Sequence, residues 1–130
     1  MRFTVPGVPV PQGSKSMSRS GHMYEANKKL RPWRETVAQV ARLYCKEPLE
    51  GAILLEVTFV MPRTKAMRDK PAPPMTQKPD TDKLIRAIND SLTGIAFRDD
   101  SQVTTIVARK RRANPGENTG AIVQVSPDDV

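Results

Sequence analysis

The run from Ala52 to Met61 constrains the fold more than any other stretch of the chain. It is dense in branched and aromatic residues, and its first half is apolar on both faces. Such a run is typical of a strand in the middle of a sheet, because neighbouring elements cover a central strand most completely. We therefore predict a sheet that is built around this strand.

The other periodic segments predict an α+β fold with the element order β-α-β-α-β-β. Residues 2–8 predict a brief strand at a sheet edge, since prolines interrupt their alternation. Residues 31–46 predict a first helix and residues 84–93 a second one. Residues 102–108 and 121–125 predict two final strands that pair as a hairpin. A small mixed sheet with both helices packed on it accommodates this order.

Length and charge limit the class of protein. The 130 residues suffice for one domain, residues 1–130, with a core that needs no disulfide or structural metal. The 21 Lys and Arg exceed the 14 Asp and Glu, for a net charge of +7. This excess predicts an anionic partner such as nucleic acid.

Cysteine, histidine and hydropathy exclude several other classes. Cys45 and His22 are the only residues of their types, so neither an internal disulfide nor a zinc site of Cys and His ligands is expected. No basic-then-apolar run near residue 1 suggests a signal peptide, and no apolar stretch is long enough to suggest a spanning helix. We expect a cytoplasmic protein that does not contact a membrane.

Acidic residues lie on both sides of the second predicted helix. Asp80 and Asp82 precede it, Asp99 and Asp100 follow it, and Gly94 favours its termination because glycine adopts the left-handed conformation common at helix ends. We expect the short return after the helix to bring the two acidic points together.

These acids have two interpretations that spacing alone leaves open. Hard divalent cations such as magnesium prefer oxygen ligands and are usually held by a few carboxylates together with phosphate and water. Alternatively, Asp80 is only an N-cap and Asp82 a first-turn acid that the helix dipole favours. In that case Asp99 and Asp100 form a polar turn.

Basic residues concentrate in three segments: the polar arm 12–29, the proline-rich loop 62–78 and the run 109–112. Each could follow a phosphate backbone, and each could equally be solvated surface or, for the loop, an insertion. The candidate DNA-binding residues are Lys15, Arg19, Lys65, Lys70, Arg109, Lys110, Arg111 and Arg112.

Three stretches together match a known family pattern. They are residues 9–15, the polar segment around Tyr24, and an acidic series. The series reads Asp80-Thr81-Asp82, then Asp90-Ser91-Leu92, then Asp99-Asp100-Ser101-Gln102-Val103. On these residues the chain resembles the RusA family of Holliday-junction resolvases, endonucleases of bacteria and their phages that cut four-way DNA junctions. A series of this kind is more specific than an isolated acid pair.

The resemblance implies roles for individual residues. Asp80, Asp82 and Asp100 match the catalytic acids that bind magnesium, for which manganese could substitute. Arg86 stands where the family usually has an assisting lysine, and it replaces a compact ammonium with a planar guanidinium.

Secondary positions and assembly follow from the same resemblance. Lys83 stands where the family commonly has Asn, next to Asp82, while Asp90 and Asp99 are expected to have secondary roles. The resemblance also implies a homodimer with a sheet flanked by helices. A two-fold dimer suits a four-way junction, because both are symmetric and two strands must be nicked.

Two functions therefore compete. The first is a magnesium-dependent endodeoxyribonuclease that resolves four-way junctions by paired symmetric nicks, with water attacking the phosphodiester in line. The second is a non-catalytic, basic DNA-binding protein of phage origin, in which the acids only cap structure. Replacing Asp80 with Asn distinguishes them, because the nuclease would lose cleavage and keep its binding of junctions.

Overall fold

The computed structural model describes residues 1–13, 15–17, 23–25 and 27–129, with the backbone alone for 15–17 and 23–25. The two α-helices are α1 (Leu30–Tyr44) and α2 (Thr81–Leu92). The strands are β1 (Arg2–Pro6), β2 (Lys15–Met17), β3 (Met23–Glu25), β4 (Ile53–Met61), β5 (Val103–Arg112) and β6 (Gly120–Pro127). Short 3₁₀ turns occur at Lys65–Met67 and Asp100–Gln102.

The main sheet has the strand order β1-β6-β4-β5. β4 is parallel to β5 and antiparallel to β6, and β1 is antiparallel to β6. A separate two-stranded sheet is formed by β2 and β3. The predicted α+β class, the mixed sheet, the edge position of β1 and the interior position of β4 are confirmed.

Both helices lie on one side of the main sheet. α1 packs on β1, α2 packs on β5, and the two helices contact each other. The core between helices and sheet includes Val37 of α1, Leu84 and Ile88 of α2, and Phe59 of β4, all fully buried. Gly94 follows α2 with a φ of 86°, as predicted for the residue after its C-terminus. Among the described residues, no helix is long and apolar enough to cross a membrane.

The predicted hairpin of the last two strands was wrong. β6 pairs with β4 and β1, while β5 lies on the other side of β4. Helix α2 forms a crossover that makes β5 parallel to β4, and segment 113–119 then crosses the end of β4 to reach its free edge. That step spans two strand spacings, about 10 Å. The amide of Ala113 donates to the carbonyl of Met61 at 2.8 Å where the crossing begins.

β5 also extends further than predicted. The strand was expected to end at residue 108, but it continues through the basic run to Arg112. The reason is that β4 continues beside it, with Thr58 to Met61 paired in register with Arg109 to Arg112. The four basic residues therefore alternate between two faces of a strand and do not form one charged surface.

Candidate active site

The first acidic point lies at the start of α2. Asp80 is the N-cap residue, and its carbonyl accepts a hydrogen bond from the amide of Leu84 at 3.1 Å. Its side chain makes no capping hydrogen bond, and Asp82 lies in the first turn. Both residues are exposed. The carboxylate of Asp80 therefore does not take the capping role that the alternative interpretation gave it.

Two basic residues accompany this acid pair. Lys83 Nζ lies 3.8 Å from Asp80 Oδ2, a long and exposed ion pair of small energetic value. Arg86 follows Asp82 by one helical turn and is exposed. Among the described residues it forms no salt bridge, neither with Asp82 nor with Asp90 on its other side. Its guanidinium is thus available to an external anion.

The second acidic point is attached to the start of β4. Asp99 caps the second 3₁₀ turn, where its carboxylate accepts from the amide of Ser101 at 2.9 Å. Gln102 completes a capping box by accepting from the amide of Asp99 at 3.0 Å. The side-chain nitrogen of Gln102 donates to the carbonyls of Leu49 at 2.9 Å and Gly51 at 3.0 Å. These bonds hold Asp99 and its neighbour Asp100 beside the amino end of β4.

The neighbouring carboxyls of Asp99 and Asp100 interact and have opposite pKa shifts. Bonds from Ser101, and then one from Asp100, lower the pKa of Asp99. The pKa of Asp100 is raised, first by its interaction with the Asp99 carboxyl, then by partial desolvation, and then by the negative charges of Asp99 and Asp90. Asp100 is therefore the member of the pair that holds a proton more readily.

Asp90 already has a partner within the chain. Gln12 Nε2 donates to Asp90 Oδ2 at 2.5 Å, and the amide of Gln12 donates to the carbonyl of Lys83 at 3.0 Å. The N-terminal motif that contains Gln12 is thereby attached to α2 at two points. This contact gives Asp90 a structural role, and its predicted secondary role in the site stays a prediction.

The two acidic points lie at opposite ends of the β4–β5 pair. At one end, Lys110 Nζ donates to the carbonyl of Pro79 at 2.8 Å, directly before Asp80. At the other end, Asp100 lies just before Val103, the first residue of β5. From Val103 to Lys110 a strand rises about 23 Å.

The length of α2 also separates the two acidic points. Asp90, in the last turn of α2, lies about 12 Å along the helix from Asp82, and Asp100 follows that end of the helix. Among the residues that the structure describes, no three Asp, Glu, His or Cys side chains form a group that could hold a metal ion. The expectation that the return after Gly94 unites the two acidic points was wrong within one chain. Asp99 and Asp100 stay near the carboxyl end of α2, because Gln102 attaches them to Leu49 and Gly51 before β4. The part of β5 that reaches the start of α2 carries Lys110 instead of an acid.

The basic run at the end of β5 is divided between the two sides of the sheet. Lys110 and Arg112 lie on the side that the helices cover, and both donate hydrogen bonds to the segment before α2. Arg109 and Arg111 lie on the opposite side. Arg109 is exposed and has no hydrogen-bonding or ionic partner in the described part of the chain.

Arg111 is paired with a carboxylate. Its two terminal nitrogens donate to Glu117 at 2.6 and 2.9 Å. The bond from Arg111, followed by one from the amide of Asn114, lowers the pKa of Glu117 to about 2. Three of the four basic residues thus have partners within the chain, so their predicted contact with phosphate would have to compete with these bonds.

The other predicted DNA-binding residues are only partly placed. Lys65 and Lys70 are exposed on the loop between β4 and α2, and Arg63 holds this loop by donating to the carbonyl of Ala113 at 2.7 Å. Arg19 and the side chain of Lys15 lie outside the described residues. The polar arm therefore remains a prediction.

A groove of about 1050 Å³ between the two helices contains basic residues that the sequence analysis did not select. Arg31, Arg34 and Arg42 of α1 line one side, and Gln12 and Asp90 lie in it as well. The three arginines share one side of α1, so their spacing in the sequence could have predicted a basic surface on this helix. They are further candidates for contact with a phosphate backbone.

Comparisons with known proteins agree with the acidic series. The profile of the family described as endodeoxyribonuclease RusA matches residues 6–126, from the end of β1 into β6. The chain is also 30% identical, over 123 residues, to the uncharacterized protein YqaN of Bacillus subtilis (strain 168), with 85% of this chain and 86% of that protein covered. The family match includes both acidic points and nearly the whole fold, and the chain therefore belongs to the RusA family of endodeoxyribonucleases.

Proposed function

We propose that this protein is a magnesium-dependent endodeoxyribonuclease that acts on branched DNA and resolves four-way junctions by paired symmetric nicks in the cytoplasm. The observation that carries the proposal is the pair Asp80 and Asp82, two exposed carboxylates at the start of a helix in a basic member of a nuclease family. Neither side chain makes a capping hydrogen bond, and Arg86, one turn further on, forms no salt bridge with any residue that the structure describes.

The acid pair fits a magnesium ion. Magnesium is usually bound by one or two carboxylates together with substrate phosphates and water, and it prefers oxygen ligands such as those of Asp80 and Asp82. Manganese accepts the same ligands. When bound, such an ion activates water and neutralises charge on the leaving oxygen of a phosphodiester.

Arg86 would orient the phosphate. Its position four residues after Asp82 places the two Cβ atoms about 6 Å apart. A guanidinium at that distance from the acid pair could donate two parallel bonds to a phosphate bound beside Asp82. This geometry would hold the scissile group in place while its negative charge grows.

The position of Asp100 supports a site that two subunits share. One chain holds Asp80 and Asp82 at the carboxyl ends of β4 and β5, and Asp100 at their amino ends. If all three acids act on one phosphodiester, Asp100 must come from a partner. A homodimer with two-fold symmetry would then contain two equivalent composite sites, one for each strand to be nicked.

The edge of β5 is the surface that would bring these acids together. β5 is one of the two edge strands of the main sheet, with β4 as its neighbour and β1 at the opposite edge. Pairing of two β5 strands about a two-fold axis is antiparallel, so the amino end of one strand lies beside the carboxyl end of the other. Asp100 of one chain would thereby approach the Asp80 end of its partner.

Charge and apolar exposure favour the same contact. The carboxyl end of β5 is basic, from Arg109 to Arg112, and its amino end follows Asp99 and Asp100. Antiparallel pairing places these opposite charges next to each other, which sets orientation. Ile106 lies near the middle of β5 on the same side of the sheet as Leu55 of β4, and it is 46% exposed. An isoleucine on this side of an inner strand would be covered.

Substituting Ile106 with Glu is expected to weaken the dimer at least about tenfold. The two introduced carboxylates, one from each subunit, would repel each other near the two-fold axis. Sedimentation equilibrium measures the dissociation constant. Leu43→Glu is the matched control, since Leu43 is 78% exposed on α1, away from β5. A dimer that tolerates Ile106→Glu and is broken by Leu43→Glu would place the interface on α1 instead.

The proposed activity is tested with labelled DNA and purified protein. A mobile four-way junction is expected to be cut at symmetric positions in two strands in the presence of magnesium or manganese, and not in EDTA. Linear duplex is expected to remain intact. Binding of the junction without any cleavage, at all metal concentrations, would favour the non-catalytic DNA-binding protein and contradict this proposal.

A further inference from the structure

We propose that Lys110 is a positioning residue, which holds the segment before Asp80 in place and thereby sets the geometry of the acid pair. This inference rests on the proposed function for the role of Asp80 and Asp82. It replaces the predicted contact of Lys110 with DNA phosphate by a contact within the protein.

The ammonium group of Lys110 is bound to two backbone carbonyls of one short segment. Lys110 Nζ donates to the carbonyl of Gln77 at 2.6 Å and to that of Pro79 at 2.8 Å. The carbonyl of Pro79 belongs to the peptide bond that joins Pro79 to Asp80. Two of the three protons of the ammonium are thus used on the segment that leads directly into the acid pair.

The register of the sheet explains why this lysine reaches that segment. Lys110 pairs with Phe59 of β4, whose side chain is fully buried under the helices. The aliphatic stem of Lys110 lies on the same side and extends along the edge of the core, while its charged end meets the loop. A residue one position earlier or later would lie on the opposite side of the sheet and could not reach it.

Two arginines attach the rest of the same loop. Arg112, on the same side of β5, donates to the carbonyl of Pro62 at 2.8 Å and to the side-chain oxygen of Gln77 at 3.3 Å. Arg63 donates to the carbonyl of Arg68 at 2.9 Å. The loop is therefore fastened at its beginning by Arg112 and at its end by Lys110, through charge-assisted hydrogen bonds.

The consequence for catalysis follows from the position of Asp80. The carbonyl of Asp80 accepts from the amides of Lys83 at 3.2 Å and Leu84 at 3.1 Å, so the first turn of α2 depends on where Asp80 is held. Lys110 fixes the peptide bond between Pro79 and Asp80, which lies on the side of Asp80 away from the helix. A displacement of about 1 Å in a catalytic group can lower a rate about a hundredfold.

Arg109 supplies a matched comparison. It precedes Lys110, carries the same charge and lies on the opposite side of the sheet, exposed. If the basic run acts only by attracting DNA, the loss of Arg109 and the loss of Lys110 should have the same effect. If Lys110 positions the acid pair, the two losses should differ in kind.

The experiment compares Lys110→Met, Lys110→Arg and Arg109→Met with the parent protein in three measurements. The first is hydrogen exchange at the amides of Lys83 and Leu84 without DNA or metal, with the Thr93 amide at the other end of α2 as an internal reference. The second is the single-turnover cleavage rate at saturating junction and magnesium. The third is junction affinity in EDTA as a function of salt.

Lys110→Met is expected to exchange at least about tenfold faster at Lys83 and Leu84 and to leave Thr93 unchanged. Its cleavage rate should fall about 10- to 100-fold, while the dependence of affinity on salt stays that of the parent. Lys110→Arg should restore most of both properties, because a guanidinium can also donate to two carbonyls. Arg109→Met should keep the parental exchange at Lys83 and Leu84 and lower the salt slope by up to about 0.9.

Two results would overturn the inference. One is a Lys110→Met protein with unchanged exchange at Lys83 and Leu84, whatever its cleavage rate. The other is a lower salt slope with an unchanged single-turnover rate, which would identify Lys110 as a phosphate ligand. A parent protein that cleaves nothing would refute the proposed function, and exchange would still decide whether Lys110 holds the segment.

Discussion

Asp80→Asn, Asp82→Asn and Asp100→Asn are each expected to lower junction cleavage about a hundredfold or more. Asn preserves the shape of the side chain and removes the charge that a divalent cation requires. Because the proposed site has few protein ligands, the loss of one should affect both the attacking water and the leaving oxygen. The single-turnover rate on a labelled four-way junction measures this effect.

Binding supplies the control for these three variants. Without metal, each should bind the junction as tightly as the parent or more tightly, since a negative charge near phosphate has been removed. Asp69→Asn is a matched substitution in the exposed loop between β4 and α2, and it should cleave at the parental rate. An Asn variant of Asp80, Asp82 or Asp100 that cleaves like the parent would show that the residue in question is not a ligand.

A mixture of inactive Asp82→Asn chains and inactive Asp100→Asn chains is expected to regain nicking. In a mixed dimer, one composite site takes its acid pair from the Asp100→Asn chain and its Asp100 from the Asp82→Asn chain, so that site is intact. The other site carries both substitutions. The mixed dimer should therefore nick one strand and rarely complete a resolution.

Mixed dimers can be isolated by co-expression with two different affinity tags, and nicking is scored on junctions labelled in one strand at a time. The matched control combines Asp80→Asn with Asp82→Asn. These two acids belong to the same half of each site, so neither site of that mixed dimer is intact and no activity should return. If the Asp82→Asn and Asp100→Asn mixture also stays inactive, the three acids act within one chain and the composite site is refuted.

Local patterns in the sequence were sufficient to predict most of the regular elements. The apolar run from Ala52 to Met61 became the interior strand β4, and Gly94 follows α2 with the positive φ that its position required. The acidic series pointed to the nuclease family that the comparisons confirmed. These properties depend on residues within a few positions of one another, which is why periodicity and motif spacing contain them.

The partners of the last two strands depend on distant parts of the chain. Residues 102–108 and 121–125 read as a hairpin because they follow one another, yet β6 pairs with β4 and β1. The position of β6 in the sheet depends on which side of β4 is still unpaired, and the crossover through α2 places β5 on the other side. Neither is encoded in the pattern of the strand itself.

The arrangement of the candidate site was also decided only by the tertiary structure. Asp80 and Asp100 are close in sequence, but β5 must run back along the whole of β4, and this requirement places them at opposite ends of the sheet. The same register turns Lys110 toward the segment before Asp80 and leaves Arg109 exposed on the other side. The sequence by itself determined which residues carry the charges, whereas sheet pairing over long distances along the chain determined which groups those charges meet.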